Sequence, residues 1–376
     1  MVRVVVIGDA NAGLIFANKL RMHTNINDVK ITLIGNSVKT YFKPDGVLIP
    51  FNDIDYHETV RNTDSLIHYG IERIKALATF INPDDHYVKL DNSKVIEYDY
   101  LVIATGDRLS TGEINGYSDS VLHFYDLNNA LKLKQELNNI KSGNVVIGPA
   151  RLPFQCPMAP YEFAFELKLF LKKRHLDNSV KITVISPMDG ALPFNELSNN
   201  IIKRLSNENI EFHGKFESES IDREKKVLKS TNGETINFDH LVLIPVHHGQ
   251  KFLIDSGLAN ENGYVDVDKY KLNYKNYDNL FVIGDAANFM LKVGAFGHSQ
   301  ASYLARYIAA ETSGFTPDDY FDGYLGCSSV VDNHTGMTLS FDYDSKPKAN
   351  FSSFMDYYLK YISANVYFSS IIHGVL

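Results

Sequence analysis

Val2-Arg-Val-Val-Val-Ile-Gly8-Asp-Ala-Asn-Ala-Gly13 reads as a buried strand, Val2–Ile7, that ends in a glycine turn and opens a helix. The helix extends to about Leu20, and Lys30–Ile34 supplies the next strand, completing a βαβ unit. In such a unit the first glycine makes the turn, and the helix N-terminus offers N–H groups to a pyrophosphate. The pattern departs from G-x-G-x-x-G between Gly8 and Gly13, where Ala10 replaces the middle glycine. The acid that would hold a ribose at the end of the second strand is also missing, since the chain reads Gly35-Asn36. Asn36 can still bond a hydroxyl, more weakly than a carboxylate does.

Two later stretches support the dinucleotide reading. Tyr100-Leu-Val-Ile-Ala-Thr-Gly106 is an apolar strand ending in the small residues Ala104, Thr105 and Gly106. Leu280-Phe-Val-Ile-Gly-Asp-Ala-Ala287 is another, ending in Gly284 and Asp285. Ordinary buried strands explain the apolar runs, but not the matched Gly8 and Gly284 endings, where glycine lets a ligand come close. Between them Val145–Ile147, Lys181–Ile185 and Leu241–Ile244 repeat the plan, separated by helices such as Tyr161–Lys173 and Asn199–Asn207. The expected fold is α/β, with two nested Rossmann-like dinucleotide-binding domains. Residues 1–112 and 276–316 form the first, 113–275 the second, and 317–376 a C-terminal extension.

The turn of the second unit, Gly148-Pro-Ala-Arg-Leu-Pro153, makes a poor phosphate cradle, because Pro149 has no N–H and one glycine alone permits close approach. A nicotinamide site is expected to be lost there. Just beyond it stands Cys156, in Gln155-Cys-Pro-Met-Ala-Pro-Tyr-Glu162, and the only other cysteine is Cys327. Two cysteines are too few for a disulfide scaffold, so a bond between them points to function rather than to a staple. The bland alternative is that each is a buried structural thiol.

The length of 376 residues allows two or three domains with cores of their own. A formal charge of −8 argues against nucleic acid as a partner. Met1-Val-Arg runs straight into the first strand, unlike a secretory leader, and no stretch reaches the ~18 apolar residues of a spanning helix. Any membrane attachment is expected to be peripheral. Near the end Phe351, Phe354, Met355, Tyr358, Ile362 and Val366 recur at helical spacing, with Ser352, Asp356, Lys360 and Ser363 on other faces. Such a helix either packs on the body of the protein or lies in a membrane interface.

The order of these motifs resembles the two-dinucleotide-binding-domain flavoproteins, and within them the sulfide:quinone oxidoreductases, over essentially the whole chain. The resemblance rests on Cys156-Pro-Met-Ala-Pro-Tyr-Glu162, on Leu291-Lys-Val-Gly-Ala-Phe-Gly-His-Ser-Gln-Ala301, and on Gly326-Cys327 followed by Phe341-Asp-Tyr343. It implies FAD held by Gly8, Ala10, Gly13, Asn36, Pro44, Ala104, Thr105, Gly106, Gly284, Asp285, Lys292 and Gly294. It implies a redox-active pair, Cys156 and Cys327, with Glu162 as proton acceptor. It also implies a membrane quinone near Phe296, Phe341, Phe354 and Tyr358. In that setting the C-terminal helix is a peripheral anchor at the cell membrane and the quinone entrance; a homo-oligomer is a further possible state, and no metal is expected.

The chain departs from several relatives in Val121-Leu-His-Phe-Tyr-Asp-Leu-Asn-Asn-Ala130, where Tyr125 takes the place of a third cysteine and Asn129 that of a histidine. Asn195, after Leu192-Pro-Phe, replaces another histidine. The resemblance therefore implies non-covalent FAD and a proton relay built from other groups. The related alternatives are the flavin subunit of a cytochrome-linked sulfide dehydrogenase, a type II NADH:quinone dehydrogenase-like enzyme, or a flavin-binding redox sensor.

Residue chemistry adds expectations. Cys156 precedes Pro157, so its backbone should be extended, and a helix starting near Pro160 should lower its pKa. Glu162, in the first turn of that helix, stabilises its N-terminus by about 0.3–1 kcal/mol whatever else it does. Lys292 is either a cation beside the flavin or a solvated surface lysine. His298 is a core or catalytic histidine, and His247 and His248 are loop residues or border a sulfide channel.

Overall fold

The computed structural model describes residues 1–51, 54–332 and 335–375. β1 (Val2–Ile7) pairs in parallel with β2 (Val29–Ile34) in the register Val2↔Val29 to Ile7↔Ile34, with α1 (Asn11–His23) as the crossover. β3 (Ile71–Ile74) extends the sheet beyond β2, and β4 (Tyr100–Ile103) lies on the other side of β1. Residues of β1 alternate between two cores. Val4 and Val6 pack with Leu14 and Phe16 of α1, while Val5 and Ile7 pack with Leu101 and Ile103 on the opposite face. The turn after β1 admits only glycine. A Cβ on Gly8, whose φ is 113°, would lie 2.3 Å from the Ala104 carbonyl oxygen, and one on Gly13 would lie 1.9 Å from the Gly8 carbonyl oxygen.

The chain then leaves this sheet through α2 (Leu127–Asn139). β5 (Gly143–Pro149), α3 (Ala159–Lys173), β6 (Val180–Ile185), α4 (Asn195–Asn207), β7 (Ile210–His213) and β8 (His240–Ile244) build a second parallel sheet. Its order is β7-β6-β5-β8. α4 begins four residues before the expected Asn199, because Leu197, Ile201 and Leu205 extend one buried stripe. The chain returns with β9 (Leu280–Val282), which pairs with β4 and completes the first sheet in the order β9-β4-β1-β2-β3. α5 (Gly294–Thr312) packs across α1.

The C-terminal part is more than a helix. β10 (Leu325–Asp332), β11 (Thr335–Phe341) and β12 (Lys348–Ser353) form an antiparallel sheet, followed by α6 (Phe354–Ser369). Phe351 therefore belongs to a strand, not to the helical stripe expected of it, and its ring takes the Arg204 guanidinium at 4.6 Å. α6 turns Tyr357, Lys360, Ala364, Tyr367 and Phe368 inward, whereas Met355, Tyr358, Leu359, Ile362 and Val366 remain exposed. The apolar stripe faces out and a lysine faces in. Among the described residues no helix is long and apolar enough to cross a membrane.

Candidate active site

A cavity of about 560 Å³ opens where the two sheets' loops meet the C-terminal part. Cys156, Cys327, Glu162, Lys360, Asp285 and Lys292 all border it. Cys156 lies between β5 and α3, Cys327 on β10, Glu162 in the first turn of α3, and Lys360 on α6. Residues far apart in sequence thus share one wall.

Cys156 is not extended. Its φ is 48°, in the left-handed region, which costs a non-glycine residue roughly 1–2 kcal/mol. Backbone bonds hold it there: its N–H donates to the Lys292 carbonyl at 2.6 Å, and its own carbonyl accepts from the Ala159 N–H at 2.9 Å. These outweigh the preference that Pro157 imposes on the residue before it.

Both thiols are free. Burial pushes the Cys156 pKa up to about 11; Lys360 opposes this, Glu162 adds to it, and the N–H groups of Ala159 and Met158 lower it slightly. Burial, then the neighbouring Cys156, pushes Cys327 up to about 12, again with Lys360 opposing. The helix N-terminus therefore acts in the expected direction but loses to desolvation. Lys360 is the principal group favouring a thiolate at either position.

Lys360 is held by a buried ion pair. Its Nζ donates to Glu162 Oε2 at 3.0 Å, while Glu162 Oε1 accepts from the Val330 N–H at 2.9 Å. The two side chains are 7% and 1% exposed. Burial opposes the charge on Lys360, yet Glu162 and Cys156 hold its pKa above the ordinary value. One turn along α3, the Tyr361 hydroxyl lies 3.4 Å from Glu166 Oε1. The sequence signal for Lys360 was its position among Tyr357, Ala364 and Tyr367 on one helical face.

The dinucleotide residues gather beside this cavity. α1 and α5 both start without a side-chain cap and without an acid in the first turn, behind Ala10 and Val293. Their N–H groups are left to a ligand. Gly106 and Gly294 have open space where a Cβ would be, and a Cβ on Gly297 would lie 3.2 Å from the Gly284 Cα. Thr105 Oγ1 and Asp107 Oδ2 are buried and take no partner among the described residues. Gln155 donates to Asp107 at 2.6 Å and to Asp285 at 2.8 Å. Lys292 is buried, not solvated; it donates to the carbonyls of Asp285 at 2.9 Å and Ala287 at 2.5 Å and lies over the Tyr264 ring at 3.7 Å. Burial lowers its pKa to about 8 against the pull of Asp285 and Asp107. Pro44 borders the cavity, and Asn36 is exposed at the end of β2. The cradle, the uncapped helices and the orphaned polar atoms fit FAD.

The expected quinone residues are placed differently. Phe296 packs against Phe289 and Phe321, Phe341 against Phe194, and Tyr358 lies on the outer face of α6. The Phe354 side chain lies outside the described residues. Phe42, Val47, Phe124, Leu359, Ile362 and Val366 form the apolar wall instead. His298 borders the cavity and stacks on Tyr367, and burial lowers its pKa to about 4. His247 is fully buried beside Tyr125, and His248 pairs with Glu113 at 2.5 Å. Among the described residues no group of three or more His, Cys, Asp or Glu side chains is disposed to hold a metal.

The second loop is consumed by its own sheet. Pro149 lies in β5 opposite Ile244, and the Ala150 N–H and carbonyl bond Ile244 and Ser218, each at 2.9 Å. A Cβ on Gly148 would meet the Ile185 carbonyl oxygen at 2.3 Å, so this glycine serves strand packing.

Two nested dinucleotide folds with a thiol pair at the groove between them define a disulfide-type oxidoreductase architecture. Residues 2–310 match the pyridine nucleotide-disulphide oxidoreductase family, and the chain belongs to it. It is similar to the mitochondrial sulfide:quinone oxidoreductase of Mus musculus, at 26% identity over 93% of this chain and 80% of the relative. It is also similar to a sulfide-quinone reductase of Aquifex aeolicus, at 29% identity over 75% of this chain and 67% of that one. The crystal structure of an Aquifex aeolicus sulfide:quinone oxidoreductase shares the fold, with a TM-score of 0.85 at 23% identity, covering 100% of this chain and 92% of the other.

Proposed function

We propose that this chain is a peripheral membrane sulfide:quinone oxidoreductase that oxidises hydrosulfide to sulfane sulfur or polysulfide through Cys156 and Cys327. The observation that carries the reading is the shared cavity, which brings both thiols, the uncapped start of α5 and the Glu162–Lys360 pair together. In the oxidised protein the two cysteines form a disulfide. The hydrosulfide sulfur bonds to one of them as the S–S bond breaks, and the other leaves as a thiolate carrying the electron pair. Lys360 stabilises that thiolate, and Glu162 accepts the hydrosulfide proton. Gly8, Gly13, Asp285, Lys292 and Gly294 would hold FAD, which supplies the two-electron acceptor between sulfur and quinone.

Leu359, Ile362 and Val366 both border the cavity and reach the exposed face of α6. That face lies on the cell membrane, and a quinone enters between these side chains. Purified protein alone should reduce a short-chain quinone with sulfide. Sulfide-dependent reduction of a cytochrome with none of quinone would contradict the reading.

NADH and NADPH should not be efficient donors, because in the second loop Pro149 has no N–H and the Ala150 N–H is spent on the Ile244 carbonyl. Stopped-flow flavin reduction by NADH at the rate of sulfide would overturn this. FAD should leave on denaturation, since Tyr125, whose hydroxyl donates to the Gln155 carbonyl at 2.6 Å, occupies the place of the third cysteine. An intact-protein mass that retains the FAD mass after acid treatment would show the opposite.

A further inference from the structure

We infer that Asp9, backed by Arg73, binds the ribose hydroxyls in the adenosine half of the dinucleotide, replacing the acid missing after β2. This rests on the FAD reading and assigns part of its site. Asp9 is the second residue of the glycine loop, yet its carboxylate reaches the end of β2, where Oδ2 accepts from the Ser37 N–H at 3.1 Å. A Cβ on Gly35 would lie 2.2 Å from Asp9 Cγ, so the carboxylate itself requires glycine at the end of that strand. Arg73, on β3, donates to Asp9 Oδ2, to Asp64 and to the Ser37 carbonyl.

The Asp9 and Arg73 side chains are 4% and 7% exposed. Their pairing leaves two polar atoms unused. Arg73 Nε has no partner among the described residues, and the bonds to Asp9 all fall on Oδ2. The remaining Asp9 Oδ1 can accept from a ribose hydroxyl, while Arg73, whose Nε is itself buried, holds the carboxylate in place. A carboxylate at this place in a βαβ unit holds the ribose diol, and here it comes from the first loop because Asn36 turns outward.

Full-length protein stripped of flavin is titrated with FAD and FMN, and with ADP against 2′,3′-dideoxy-ADP as competitors. The wild type should bind ADP about tenfold or more tighter than the dideoxy compound, as expected for hydrogen bonds to charged groups. Asp9→Asn should reduce that preference to about twofold or less and weaken FAD about tenfold, with FMN affinity unchanged. The double variant Asp9→Asn/Arg73→Gln removes both charges and should behave alike even if the single change leaves Arg73 too poorly matched to fold. A preference that survives in the variants, or is absent from the wild type, overturns the assignment. So does a parallel loss of FMN affinity, which marks a purely structural role. Failure of the wild type to bind FAD at all overturns the flavin reading instead.

Discussion

Cys156→Ser and Cys327→Ser each lose sulfide-dependent quinone reduction by on the order of a thousandfold, while FAD stays bound. The two thiols lie on different elements and border one cavity, and Cys156 raises the pKa of Cys327. A disulfide relay has no partial form: without either sulfur there is no bond for hydrosulfide to break. The effects are therefore not additive, and the double variant should be scarcely slower than either single one. Steady-state assays and flavin content of the three variants provide the test. A single variant that keeps about half of the wild-type rate would show that the cysteines do not act as a pair.

Lys360→Ala carries the second large effect, on stability and activity together. It leaves the buried Glu162 carboxylate with the Val330 N–H as its one remaining donor among the described residues, a change that costs about 3–5 kcal/mol. Replacing both partners, as in Glu162→Gln/Lys360→Met, should restore most of that stability, because a buried ion pair adds little over apolar contact of similar volume. Activity should not return. The thiolates would have lost the cation that opposes their burial, and sulfide oxidation should stay roughly 10²-fold or more below wild type. Denaturant melts read the first effect and stopped-flow kinetics the second. Full activity in the stable double variant would remove Lys360 from the mechanism. The pH dependence has a definite sign. The Lys360 pKa is raised on folding, so its stabilisation is complete below the unfolded value of 10.5 and fades only as pH rises through the folded one.

The parts legible in sequence are those whose causes are local. Gly8 and Gly13 could be read because the backbone around them leaves no room for a Cβ, and Gly284 because its φ of 68° favours glycine. Cys156 and Glu162 could be placed together because they flank the start of one helix. The ionisation of Cys156 could not, since burial is a tertiary quantity and exceeds the local effect of the helix. Lys360 was hidden for the same reason: its partner lies 198 positions away, and a lysine in an amphipathic stretch ordinarily faces water. The sheet of β10–β12 gave no alternating signal, as Val330 and Val331 are both buried between elements on the two faces of β10. Asp9 carries no signal in sequence, because its surroundings, Gly35 and Arg73, come from the ends of two other strands.

The most direct test is anaerobic mixing of the oxidised protein with one equivalent of sulfide, followed by flavin absorbance and by mass analysis of the two cysteine peptides. The flavin should bleach at least as fast as turnover, with the Cys156 and Cys327 peptides joined through one additional sulfur atom, because the two electrons reach the flavin only as the persulfide and the second thiolate bond to each other. Bleaching at the same rate in the Cys156→Ser/Cys327→Ser variant, or no bleaching in the wild type, would contradict the relay through the two thiols.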